Sequence, residues 1–128
     1  MRKLFGLLLA FCLGLTVAVA AVQKPPDATI IDADVHQVVL ENDHVRVFEA
    51  RAAAGARSPM HSHPPFVLVS VGSARVKLTL PDGKVQVLDL RPGAVLWLEG
   101  AEHSWELLAG ELHAIGVEVK SAKSAGAK

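Results

Sequence analysis

The chain has 128 residues, with 13 Lys and Arg against 13 Asp and Glu and no formal net charge. That length suits one domain, and the balance lacks both the basic footprint of a nucleic-acid binder and the acidic excess of a solvated, unfolded chain. The one cysteine, Cys12, sits in the N-terminal apolar stretch. The rest of the chain therefore has no disulfide, zinc thiolate or cysteine nucleophile, and its chemistry must come from histidine, carboxylate or a bound metal.

In chain order, Met1-Arg2-Lys3 makes a positive start, Leu4 to Val17 an uncharged run, and Ala18-Val19-Ala20 a small-x-small pattern before Ala21. This pattern predicts a secretory signal over 1–20, whose removal leaves a periplasmic or secreted protein with no membrane attachment. The apolar stretch runs on to Val22 and approaches the roughly 20 residues that span a bilayer, so an uncleaved anchor is the competing reading. Residues 21–34, with Pro25-Pro26-Asp27, read as a linker, and the Lys/Ser/Ala/Gly stretch over 120–128 as a flexible cationic tail.

Between them, over 35–119, the apolar pattern has period two: Val76, Leu78 and Leu80 alternate with Arg75, Lys77 and Thr79. Strands are expected at 35–40, 45–52, 66–71, 74–80, 84–90, 94–98, 104–108 and 112–119, with no helix of normal length. Asn42-Asp43, Gly72-Ser73, Pro81-Asp82-Gly83, Arg91-Pro92-Gly93 and Ala109-Gly110 supply the turns. So many short antiparallel strands close into an all-β sandwich or barrel with one apolar interior.

The six histidines are His36, His44, His61, His63, His103 and His113. On an extended segment His61 and His63 point to one face, stiffened by Pro59, Pro64 and Pro65, and offer two imidazoles to one point. His103 shares strand parity with Trp105 and Leu107 and is the natural third ligand. His-x-His by itself suits a surface or capping pair as well as a metal pair, and His103 also suits a core histidine beside Trp105. His113 shares parity with Ile115, Val117 and Val119. It is expected either inside the barrel, orienting a ligand imidazole or acting as a base, or packed near a barrel end. His36 and His44, beside Asp34 and Asp43, read as surface residues.

Gly55-x5-His61-x-His63, followed by Gly100-Ala101-Glu102-His103-Ser104-Trp105 after Pro92-Gly93, resembles the two motifs of the cupin superfamily over roughly 41–120. The likeness is to the small single-domain cupins. It implies a double-stranded β-helix, or jelly-roll, barrel after the signal, with His61, His63 and His103 as metal ligands. The glutamate that usually follows the first motif is absent, since Pro64, Pro65, Phe66, Val67 and Leu68 come next. A three-histidine site resembles the thiol-dioxygenase branch of cupins and implies a dioxygenase-type oxidoreductase on a small molecule; the competing reading is a non-catalytic module that binds or senses a small ligand or metal. Imidazole suits iron, manganese, nickel, copper and zinc alike, so the ligand type does not choose the metal. Small cupins commonly pair, which implies a homodimer.

Glu99 and Glu102 flank the second motif as reserve ligands or as solvated charges. Met60, Phe66, Trp97 and Trp105 are candidates for an apolar pocket around the metal or for ordinary barrel packing. Ser70 lacks the Gly-x-Ser-x-Gly surroundings of a serine nucleophile.

Overall fold

The computed structural model describes residue 21 and residues 23–121. The expected signal over 1–20 and the tail residues 122–128 lie outside the described residues. A one-turn helix, α1 (Ala28–Ile31), precedes eight strands: β1 (His36–Glu41), β2 (Val45–Ala53), β3 (Arg57–His63), β4 (Phe66–Ser70), β5 (Ala74–Thr79), β6 (Val85–Leu90), β7 (Val95–Leu98) and β8 (Ala101–Val119). The pairings between strands are antiparallel, in one sheet ordered β1-β2-β8-β4-β7 and another ordered β3-β8-β5-β6. Among the described residues no helix is long and apolar enough to cross a membrane.

β8 belongs to both sheets and closes the barrel. Its first half pairs with β3 and β5, its second half with β2 and β4. The two halves meet at Gly110, which has φ +76°, and a Cβ there would collide with the Ser73 carbonyl, so only glycine fits the bend. A bulge opposite Arg75 and Val76 adds a residue at this point. Before it the buried positions are His103, Trp105 and Leu107; after it they are Leu112, Ala114, Gly116 and Glu118. The inward face thus changes from odd to even numbers. The strands expected separately at 104–108 and 112–119 are consequently one element.

β3 lacks the apolar alternation that marks a strand in sequence, because its buried residues are Ser58, His61, Ser62 and His63. The 21–34 segment, read as a linker, is tied to the barrel instead. Asp27 caps α1 through the Thr29 amide and pairs with Arg46 at 2.6 Å. The Ser62 amide and hydroxyl donate to the carbonyls of Pro26 and Pro25, each at 2.8 Å.

The core between the sheets is built from Phe48, Phe66, Val76, Leu78, Leu90, Trp105, Leu107 and Leu112. Each such side chain contributes about 1.5–3 kcal/mol on leaving water. Gly116 underlies the Phe48 ring, where a Cβ would overlap it, and that ring stacks on His63 at 5.2 Å. The apolar packing therefore bears directly on the histidines at one end of the core.

Candidate metal centre

His61 is fully buried in β3, and its Nδ1 lies 2.8 Å from the Pro59 carbonyl and 3.0 Å from the Ser58 hydroxyl. A carbonyl can only accept, so Nδ1 carries the proton and Nε2 the lone pair. That Nε2 is buried with no hydrogen-bond partner. His63, two residues on, donates Nδ1–H to Glu118 Oε1 at 3.1 Å. Its lone pair is therefore also on Nε2. His36 faces the Asp32 carbonyl at 3.3 Å through Nδ1, with the Asp32 carboxylate 3.5 Å away. Three rings are thus held by oxygen acceptors at Nδ1, the arrangement by which proteins orient metal-binding imidazoles.

One ring nitrogen from each of His36, His61 and His63 lies within 4.8 Å of the other two. Nitrogens bound tetrahedrally to one metal at 2.0–2.1 Å stand about 3.4 Å apart, so closure draws the rings together by up to about 1.4 Å. His103 sits directly across from His61 in the β3–β8 register, buried, with ring centroids 4.7 Å apart and 5.6 Å to His63. It packs against the convergent trio from the neighbouring strand. The donor set fits a divalent metal: buried imidazoles, one orphaned buried nitrogen, and a carboxylate behind one ring.

Electrostatics keep these rings ready to ligate. Burial, with the His63 ring as a lesser cause, lowers His61 to about 4. Burial followed by His61 and His63 lowers His103 to about 3, and burial lowers His36 as well. His36 and His61, kept neutral, release no proton when a metal binds. Burial pushes the Glu118 carboxyl up, but hydrogen bonds from His63 and Arg46 outweigh it and hold the group below its ordinary value. Arg46 spans Glu118 and Asp27, so the strap that carries α1 is wired to the histidines through two ion pairs.

Two histidine expectations are corrected. His36, read as a surface residue, is 4% exposed and joins the centre. It is the only inward residue of β1, delivered by its pairing with Ala50 on the core face of β2. Nothing in its neighbourhood along the chain signals this; the strand register does. His113, the candidate to orient a ligand, lies on the outer face of β8 because the bulge reverses the parity, and its Nε2 meets Glu49 at 2.8 Å. Glu118 was missed for the same reason, standing on the inward even-numbered face. His44 is exposed, as expected.

Phe66 and Trp105 line the apolar cavity beside the histidines, whereas Met60 and Trp97 do not. Trp97 is half exposed and its indole donates to the exposed Glu99 at 2.7 Å. Glu102 pairs with Ser62 in register, one position off the inward face of His103. The Ser70 hydroxyl is buried and donates to the Gly72 carbonyl.

No protein-family model matches the chain, and no curated protein is significantly similar to it. Solved structures are similar. A cupin domain from Bordetella pertussis Tohama I aligns with TM-score 0.61 at 23% identity, over 79% of this chain and 100% of that one. An RmlC-like cupin with a double-stranded β-helix fold from Methanocaldococcus jannaschii aligns at 0.56 and 17% identity, over 73% and 85% of the two chains. The fold is that of the cupins. A larger structure with the same barrel, a DMSP lyase from Ruegeria pomeroyi DSS-3, aligns at 0.50 and 20% identity over 66% of this chain and 42% of that one. No carboxylate follows His63 along the chain; Glu118 reaches its Nδ1 from the closing strand, as an orienting partner.

Proposed function

We propose that this cupin binds a divalent transition metal on His36, His61 and His63, with His103 against them, and presents it to a small molecule in the barrel. The convergence of three buried imidazoles, one of which leaves a buried nitrogen without a partner, carries the reading. A metal held by imidazoles alone keeps its double positive charge and open positions, and supplies Lewis acidity toward oxygen or sulfur ligands. With a redox-active metal such as iron in this site, the activity is that of a dioxygenase-type oxidoreductase. The site named from the sequence, His61, His63 and His103, is reached from this trio by exchanging His36 for His103.

A second reading, a binding or sensing module without turnover, is favoured by the cavity lining, in which, among the described residues, the polar groups are the imidazoles and the Trp105 indole, with no carboxylate or hydroxyl. Export to the periplasm or medium is supported by the sequence over 1–20. The test is metal analysis of protein purified without an affinity tag, followed by melting curves with iron(II), manganese, nickel, copper or zinc added. Occupancy near one metal per chain, or a melting rise that His61→Ala abolishes, is expected. Neither occupancy nor a rise with any of these metals would end the proposal. Oxygen uptake with small thiols, phenols and diketones, lost in His61→Ala, separates the enzyme from the binding module.

A further inference from the structure

Behind the histidines the barrel holds a cavity of about 60 Å³. A water-sized atom needs about 10–15 Å³ of such space, so the cavity accommodates about four to six non-hydrogen atoms. Its floor is hydrocarbon from both sheets, including Phe66, Leu68, Val76, Leu78, Leu88 and Leu90. Among the described residues that line it, the side chains with polar atoms are His36, His63, His103 and Trp105, the last offering only its indole N–H; no Lys, Arg, Asp, Glu, Asn, Gln, Ser or Thr takes part. Arg46, the cation behind His63's partner Glu118, is committed to Glu118 and Asp27 and does not line the space.

Those facts restrict what can enter. A carboxylate or ammonium that points away from the histidines, into the hydrocarbon floor, would be buried without a charged partner. A hydroxyl-rich molecule would lose its hydrogen bonds to water in the same way. An uncharged hydrocarbon body, by contrast, gains from leaving water, and a single donor atom can face the imidazole end. We infer that the cavity selects small uncharged apolar molecules of about four to six non-hydrogen atoms, with any metal-binding atom directed at the histidines. The inference deepens the proposed metal site and rests on it for the direction of the donor atom alone.

The test has two arms. In metal-free protein, xenon is expected to shift the methyl resonances of Val76, Leu78 and Leu88, and the cavity-filling variants Val76→Phe and Leu88→Phe are expected to weaken that response, the second serving if the first does not fold. In cobalt(II)-loaded protein near neutral pH, 1-butanethiol and 3-aminopropanethiol offer the same donor atom on bodies of equal size, one neutral and one carrying an ammonium that cannot ligate the metal while protonated. Changes in the cobalt absorption bands are expected at a concentration at least about tenfold lower for butanethiol, the penalty of an unpaired buried charge. Unmoved methyls, or aminopropanethiol binding as tightly as butanethiol, would overturn the inference. Should cobalt(II) not bind while xenon still moves the methyls, the metal reading falls and the selection of apolar molecules stands.

Discussion

Glu118 Oε1 accepts the Nδ1 proton of His63 across 3.1 Å, from a fully buried position 55 residues further along the chain. The same carboxylate is gripped by Arg46 on its other oxygen. One buried acid therefore fixes the tautomer and orientation of a metal-binding ring and links it to the strap held by Asp27. It also places a negative charge behind imidazoles that have none of their own.

Replacing that charge while keeping its shape is the most direct probe. Glu118→Gln retains an amide oxygen for the His63 proton but weakens both this hydrogen bond and the Arg46 pair. Metal affinity is expected to fall by about 10–100-fold, measured by competition with a chromogenic chelator. An affinity within twofold of the parent protein would show that Glu118 does not orient the ligand.

His36 separates the observed geometry from the motif reading. His36→Ala is expected to weaken metal binding by more than about 100-fold, beyond the loss from disturbing an orienting partner. His44→Ala and His113→Ala, which change rings outside the barrel interior, are expected to leave the dissociation constant unchanged. Calorimetric titration with zinc or cobalt compares all three. A strong loss in His113→Ala, or none in His36→Ala, contradicts the arrangement.

Acid should destabilise the metal-free protein early. His61 and His103 are held neutral in the fold, at about 4 and about 3, whereas in the unfolded chain they titrate near 6.5. Below 6.5 the unfolded state binds more protons, so stability falls as the pH drops from there toward 4. Asp27 and Glu118, with lowered values, lose their contribution only at or below the ordinary carboxylate range. Melting temperatures in the presence of a chelator are expected to decline between pH 7 and 5; a flat profile there would contradict buried neutral histidines.

Gly116 tests the packing beneath the site. Its Cβ position is occupied by the Phe48 ring, so Gly116→Ala forces that ring toward His63. A loss of about 1–3 kcal/mol in urea unfolding is expected, as for overpacked cores. Gly83→Ala, at a turn glycine with positive φ but nothing near its Cβ position, supplies a comparison carrying backbone strain alone.

Local pattern alone determined much of this protein. Alternating Val and Leu marked the strands, Pro-Asp-Gly and similar clusters marked the turns, and His61-Ser62-His63 on an extended segment announced two imidazoles on one face, because side chains alternate across any strand. The motif resemblance placed His103 with His61 and His63, and the structure pairs their strands directly. What the chain order concealed was register. A single bulged residue near Gly110 reverses the inward face of β8, turning His113 out and Glu118 in, and no periodicity within either half reports that reversal. His36 is equally invisible along the chain, since five of the six β1 residues are exposed and its burial follows only from pairing with Ala50. Residue type and spacing supplied candidate ligands; which of them converge was decided by how distant strands align, because hydrogen-bond register sets the direction of every side chain on a closed sheet.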